Sequence, residues 1–159
     1  MGIEMTLRKK FDDAAGEVCK ALIPVRHESF EGKGRDLAIC TLGSIDLLEQ
    51  ISKSELMEKV AIAGRLLSEN KGIDSIIGYA AGHPDLKRII VCGKEVKGHM
   101  AGQALLALHK NGTDSNGRII GASGPYPILT SPKARVEAFR RQVSITDLTG
   151  VTDIAKLVA

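Results

Sequence analysis

The 159-residue sequence has no tryptophan, only two tyrosines (Tyr79 and Tyr126) and three phenylalanines (Phe11, Phe30 and Phe139). So few rings leave no platform on which bases of a nucleic acid could stack. The charge balance agrees: 22 basic residues face 19 acidic ones, for a net +3. Basic clusters such as Arg8-Lys9-Lys10 are short and scattered, and read as solvated surface rather than a phosphate-binding stripe. The three cysteines, Cys19, Cys40 and Cys92, form no CxxC pair. That excludes a disulfide framework and a zinc knuckle. Cys40 and Cys92 sit inside aliphatic runs and read as small buried thiols. No apolar stretch approaches the roughly 20 residues needed to cross a bilayer, and the start has no signal-peptide pattern. The chain is therefore expected to be soluble and cytoplasmic. Three motifs are also missing: the P-loop, a GxGxxG turn after the first aliphatic strand, and the GxSxG nucleophile elbow.

What remains is a core of Ile, Leu, Val and Ala. Thr6 to Leu22 has helical spacing, ended by Pro24. Residues 27–36 are polar and carry Gly32 and Gly34, which suggests a loop. Leu37–Leu42, Ala61–Ala63 and Arg88–Cys92 read as buried strands, each followed by glycine within a residue or so. Arg118–Gly121 and Gln142–Leu148 also read as β. Helices are predicted over about 54–60, over 73–81 after a break at Lys71-Gly72, from His99 to Lys110, and from Ser131-Pro132 to about Arg141. A short last helix is expected over 152–159. Asn111-Gly112 closes the His99 helix in the usual C-terminal way. Alternating strands and helices predict an α/β fold: a single-domain, Rossmann-like open, mostly parallel sheet with helices on both faces. Residues 1–30 are expected to form a helical extension of it.

In such a sheet, ligands bind beyond the carboxyl ends of the strands. Two segments leaving strands look specialised. One is Gly93–Gln103, which is polar and then abruptly small around His99. The other is Gly121–Pro127. The predicted helix places His99 in its first turn, where the dipole disfavours a protonated imidazole. A neutral imidazole binds metals. Gly98, Ala101 and Gly102 leave room for a large flat ligand against the backbone. A lone histidine is nevertheless more often structural than a ligand. Read from the residues alone, a capping role and a metal-binding role both stay open. His27, His83 and His109 form no HxxxH or Cys/His cluster, so a bare zinc site is poorly supported.

At Glu95-Val-Lys-Gly-His-Met-Ala-Gly-Gln103 the sequence resembles the A-subunit family of tetrahydromethanopterin S-methyltransferase from methanogenic archaea. The likeness continues in order through Ala38–Ser44, Ala61–Gly64, Glu69-Asn-Lys-Gly72, Arg88–Gly93, Ala107–Gly112, Ile119–Ala122, Phe139–Val143 and Asp147. It implies a cobalamin or related cobalt corrinoid, with His99 as lower ligand of the cobalt. It also implies methyl transfer from methyl-tetrahydromethanopterin through the metal to coenzyme M or a related thiol. Partner subunits of the methyltransferase would supply those substrate sites. The expected cofactor-binding set is Glu95, Gly98, His99, Met100, Gly102, Gln103, Gly121, Ala122, Gly124 and Pro125. Glu95, the carboxylate nearest in sequence, is the expected acceptor that orients the imidazole.

Compared with the DxHxxG motif of many corrinoid proteins, His99-Met-Ala-Gly102 keeps HxxG, but Lys97 replaces the aspartate. A different corrinoid pose is therefore expected. Members of the resembled family normally continue into a C-terminal membrane helix, whereas this sequence stops at Ala159, so no membrane insertion by this chain is expected. Two other readings stand beside methyl carriage: a corrinoid storage or sensor module without turnover, and a nucleotide- or flavin-binding α/β domain sharing only the scaffold.

Overall fold

A computed structural model describes residues 28–158. The helix expected over 6–22 and Cys19 lie outside the described residues. Five strands form one sheet: β1 (Ser29–Glu31), β2 (Leu37–Cys40), β3 (Ile62–Gly64), β4 (Arg88–Gly93) and β5 (Ser144–Thr149). Four α-helices are described: α1 (Ile45–Ser52), α2 (Lys71–Gly82), α3 (Ala101–Asn111) and α4 (Lys133–Gln142). The strand order is β1-β3-β2-β4-β5. β2 runs parallel to β3 and β4, and β4 runs parallel to β5; only β1 is antiparallel.

The expected α/β architecture is the observed one, and strand composition explains it. All four residues of β2 are buried, as are Ile89 to Gly93 of β4. Strands buried on both faces need helices on both faces. Alternation divides the core in two. Ala38, Cys40, Ile89 and Val91 face α2, α3 and α4, where Ile73, Ile77, Leu105, Leu108, Val136 and Phe139 fill one core. Leu37, Ile39, Ile90 and Cys92 face α1, packed by Leu47, Leu48 and Ile51. Burial pushes the Cys40 and Cys92 thiols up to about 12. Neither forms a disulfide, and at such values they are structural rather than reactive.

Several local expectations need correction. The polar stretch 27–36 contains β1, which needs only three residues against the edge of β3. α1 has no predicted counterpart. Lys71-Gly72 opens α2 rather than breaking the chain. Residues 55–58 and 154–156 make only 3₁₀ turns. Arg118–Gly121 is no strand of the sheet: residues 112–132 bond to themselves through isolated bridges, Thr113 with Ile119 and Arg118 with Ile128. Only one of its two isoleucines is buried, Ile119, while Ile120 is 47% exposed.

The chain leaves β2 toward β3, then returns to place β4 on the other side of β2. This reversal sets a switch point beyond the carboxyl ends of β2 and β4. The long 112–132 loop is brought back to that end by Asp74 of α2. Its Oδ2 accepts from the Thr130 N–H (3.0 Å) and hydroxyl (2.9 Å), and its Oδ1 from the Ser131 N–H (3.0 Å) and hydroxyl (2.6 Å). Partial burial raises the Asp74 carboxyl, but these four donors outweigh it and hold it below the ordinary aspartate value.

A depressed folded value means that Asp74 contributes stability above its unfolded value of about 3.9, and loses it as the pH falls through the folded one. Asp74→Asn has one acceptor oxygen instead of two. It should cost about 1–2 kcal/mol of stability near neutral pH and flatten the acid limb of the stability profile below about pH 4. Denaturant melts across that range check both; identical curves for the two proteins would refute the anchor.

Candidate functional site

The exits from β2 and β4 are laced together at the switch point. Gly43 donates its N–H to the Lys94 carbonyl (3.0 Å), and the Lys94 N–H donates to the Ser44 hydroxyl (2.9 Å). Gly93 has φ +76°, and a Cβ there would lie 2.2 Å from the Thr41 carbonyl oxygen, so only glycine lets the two turns cross.

Beyond Lys94, the chain makes a tight turn before α3. Glu95 folds forward onto the helix start. Its Oε1 accepts from the Val96 N–H (2.8 Å) and the Gly102 N–H (3.0 Å), and its Oε2 from the Gln103 N–H (2.8 Å). A carboxylate on the free N–H groups of a helix start is favourable by hydrogen bonding and by the dipole. A Cβ on Gly102 would meet Glu95 Oε2 at 2.9 Å and the Leu42 methyls at similar distance. The Gly102 position is thus small to admit the carboxylate. The hydrogen bonds of Glu95 thus go to the helix start, and that of the His99 ring goes to Glu69, which corrects the expected role of Glu95.

His99 lies two residues before Ala101, outside the helix, on a turn with Gly98 at φ +86° and Met100 at φ +51°. Its side chain is 54% exposed. The helix dipole therefore does not decide its tautomer; a carboxylate does. Nδ1 of His99 lies 2.9 Å from Oε2 of Glu69, whose side chain is 1% exposed. Glu69 sits in the connection between β3 and α2, and its Oε1 accepts from the Tyr126 N–H (2.9 Å). Burial raises the Glu69 carboxyl, but hydrogen bonds from its own backbone, from Tyr126 and from His99 outweigh it and hold it below the ordinary glutamate value. An ionised Glu69 takes a proton on Nδ1. In the neutral ring, that leaves the lone pair on Nε2.

The two segments singled out in the sequence do meet. Gln103 donates its amide N–H to the Gly121 carbonyl (2.8 Å), and its amide oxygen accepts from the Ser123 N–H (2.9 Å) and hydroxyl (3.2 Å). Asn70 donates to the Tyr126 carbonyl (3.1 Å). Between these clasps, Gly124 is buried against the His99 backbone: a Cβ there would lie 2.4 Å from the His99 carbonyl oxygen and 3.2 Å from Glu69 Cγ. Ala122 and Met100 are half-buried, and Gly121 and Pro125 are exposed. Ile120 at 47% and Tyr126 at 60% exposure add apolar surface to the same loop. A Cβ on Gly98 would meet nothing within 4 Å, so the turn itself stands open.

Sequence reasoning missed the place of Glu69 and Asn70 at the site, which only the Glu69-Asn-Lys-Gly72 stretch of the resemblance touched; Tyr126 lies within the Gly121–Pro127 segment already singled out. Among the described residues, no three His, Cys, Asp or Glu side chains are grouped to hold a metal ion. The site presents a single nitrogen donor. This suits a metal that arrives with its other ligands already in place, such as a cobalt corrinoid, and not a bare ion.

Gly124→Ala should force the 97–100 turn away from the loop, because its nearest contact, the His99 carbonyl oxygen, is backbone and cannot swing aside. A loss of about 1–3 kcal/mol is expected, together with a shift or loss of the His99 Nδ1–H resonance bonded to Glu69. A proton spectrum of the imidazoles that is unchanged in the variant would show that the contact is not limiting.

The sequence pattern of the MtrA family, the A-subunit of tetrahydromethanopterin S-methyltransferase, matches residues 30–159. Among curated relatives, tetrahydromethanopterin S-methyltransferase A-subunit 2 of Methanothermobacter thermautotrophicus is 40% identical over 125 residues, covering 77% of this chain and 66% of the relative. A-subunit 2 of Methanothermobacter marburgensis is 41% identical over 123 residues, covering 76% and 64%. The A-subunit of Methanocaldococcus jannaschii is 39% identical over 123 residues, covering 76% and 49%. The matched part thus spans from about half to about two thirds of these relatives' length. No helix among the described residues is long and apolar enough to cross a membrane. The chain belongs to the A-subunit family of tetrahydromethanopterin S-methyltransferase.

Proposed function

We propose that this chain is a single corrinoid-binding domain that serves as the methyl carrier of a methyltransferase, with His99 as the lower ligand of the cobalt. The observation that carries the reading is the half-exposed His99 ring, tied at Nδ1 to the buried Glu69 carboxylate and so presenting Nε2 outward. When bound, the corrinoid supplies a cobalt that accepts a methyl group from methyl-tetrahydromethanopterin or a related pterin and gives it up to coenzyme M or a related thiol.

The chain's own residues do three things. Glu69 holds the proton on Nδ1 and fixes the plane of the ring, which raises the donor strength of Nε2. Gly98, Met100 and the loop Gly121–Pro125 bound an open surface beside the ring with little side-chain bulk. Gln103 and Asn70 hold that loop in place. Among the described residues, neither pterin chemistry nor thiol activation has an evident residue, and the buried Cys40 and Cys92 are unsuited to it. Those roles go to partner proteins. Family membership supports this division of labour, and so does the single-donor character of the site.

The test is reconstitution with hydroxocobalamin followed by reduction to cobalt(II). The electron spin resonance spectrum should show coupling to one imidazole nitrogen, and His99→Ala should remove it. A spectrum of His99→Ala identical to the parent would defeat the ligand assignment. Glu69→Ala keeps the ligand but frees its ring, so corrinoid affinity should fall about 10- to 100-fold. Full affinity in that variant, measured by absorbance titration, would show that Glu69 does not orient the ligand.

A further inference from the structure

The helical layer over one face of the sheet is one element short. A parallel sheet buries both faces under helices. α1 packs on one face of β2 and β3. On the other face, α2 leaves an apolar groove of about 540 Å³ along β2 and β3. Ile62, Ile76 and Tyr79 line it and are only partly buried among the described residues.

Two observations say what covers it. The first is where the preceding chain joins the fold. Glu28 and Ser29, the first described residues, line the mouth of the groove. Ser29 pairs with Gly64 there, at the carboxyl end of β3. From Leu22 to Glu28 the chain reaches at most roughly 20 Å, so the helix predicted over 6–22 must end near that mouth. Arg65 stands at the same mouth, with a buried Nε that has no hydrogen-bond partner. The Glu28 carboxylate approaches its guanidinium only at 3.8 Å, beyond hydrogen-bond length. A helix ending here would bring its free last-turn carbonyls and the negative end of its dipole to Arg65 and Lys71.

The second observation is the pattern of the segment. On a helix, Leu7, Phe11, Ala14, Ala15, Val18 and Leu22 fall in one stripe about 100° wide, with Lys9, Asp13 and Lys20 opposite. A helix of this length is marginal in water unless its apolar stripe is packed. It would be about 26 Å long, enough to cover α2 from end to end. The short tether holds it near the groove at an effective concentration in roughly the millimolar range, which favours this chain's own helix over a second copy's. We propose that residues 6–22 form an amphipathic helix that lies in the groove, antiparallel to α2. Phe11 and Val18 cover Ile62, Ile76 and Tyr79, and the last turn meets Arg65. The family pattern matches residues 30–159, so this helix lies outside the matched range. The inference is independent of corrinoid binding.

The test places a nitroxide on Cys19 of the full chain, since Cys40 and Cys92 are buried. Cys19 falls at the border of the apolar stripe, so the label stays beside the groove rather than in it. The amide resonances of Ile62, Ile76 and Tyr79 should be lost to paramagnetic broadening. Those of Leu47 and Ile51 in α1, on the opposite face, should stay sharp. Phe11→Glu and Val18→Glu each put a charge in the stripe and should restore the lost resonances; Lys9→Glu, on the polar side, should not. Circular dichroism melts confirm that the variants fold, and either charge substitution suffices if the other does not. Sharp groove resonances in the labelled parent chain would overturn the proposal, and so would broadening that survives the charge substitutions. Nitroxide-bearing chains are also mixed with isotope-labelled chains that lack the nitroxide. Groove broadening in that mixture would assign the helix to a second copy and overturn docking within one chain.

Discussion

A buried carboxylate bridging two donors is the interaction on which the site depends. Glu69 is almost wholly withdrawn from water, and burying an ionised carboxylate costs several kcal/mol. Hydrogen bonds from the His99 ring and the Tyr126 backbone offset that cost. The bridge joins three stretches: the connection after β3, the turn before α3, and the loop around Gly124. Removing the carboxylate leaves two donors unpaired and an exposed histidine ring with no fixed direction. The close packing of Gly124 on the His99 carbonyl is the steric counterpart of the same constraint.

The scaffold serves this constraint by separating the tasks of two glutamates. Glu95, four residues from His99, is spent on the start of α3, where it satisfies the N–H groups of Gly102 and Gln103. That leaves the imidazole without a local partner and open to one from across the fold. The parallel arrangement of β3, β2 and β4 brings the β3–α2 and β4–α3 connections to the same edge of the sheet. Asp74, Gln103 and Asn70 then hold the third stretch over that edge. Each of these holds by side-chain hydrogen bonds to loop backbone, the usual way to order a segment that has no regular structure of its own.

How much of this could be read in the sequence follows from the range of each interaction. β2 and β4 were legible because a strand buried on both faces is a continuous aliphatic run that ends near a glycine, and β3 was legible as a short apolar run ending at Gly64. The C-terminus of α3 was legible from Asn111-Gly112, and Gly112 indeed takes φ +75°. β1 was hidden because three residues on an edge, partly exposed, carry no pattern. α1 was hidden because eight residues make barely two turns, and its Ser44 hydroxyl serves Lys94 rather than capping the helix. At the candidate site, both glycine-rich segments and His99 stood out in the sequence, the first because small residues beyond a strand end are a local signal. The imidazole's partner was not, because it lies 30 positions away. Sequence proximity pointed to Glu95, whose carboxylate faces the other way.

On the proposed reading, the exposure of the ring follows from what it has to meet. A bare metal ion is held by several side chains converging on a point, which buries them. A metal already ringed by a flat macrocycle leaves only its axial positions free, and a protein can reach one of them with a single donor raised on a turn. The neighbours of that donor must then be low, so that the macrocycle can approach. Gly98, with nothing within 4 Å of where a Cβ would stand, fits that requirement. The donor must also be stiff, because one bond has to define the pose. Stiffness cannot come from packing on an exposed ring, so it comes from below, through the hydrogen bond to Glu69. Half-exposure of the histidine and near-complete burial of the glutamate are thus, on the proposed reading, two sides of one arrangement for binding a preassembled metal from one side.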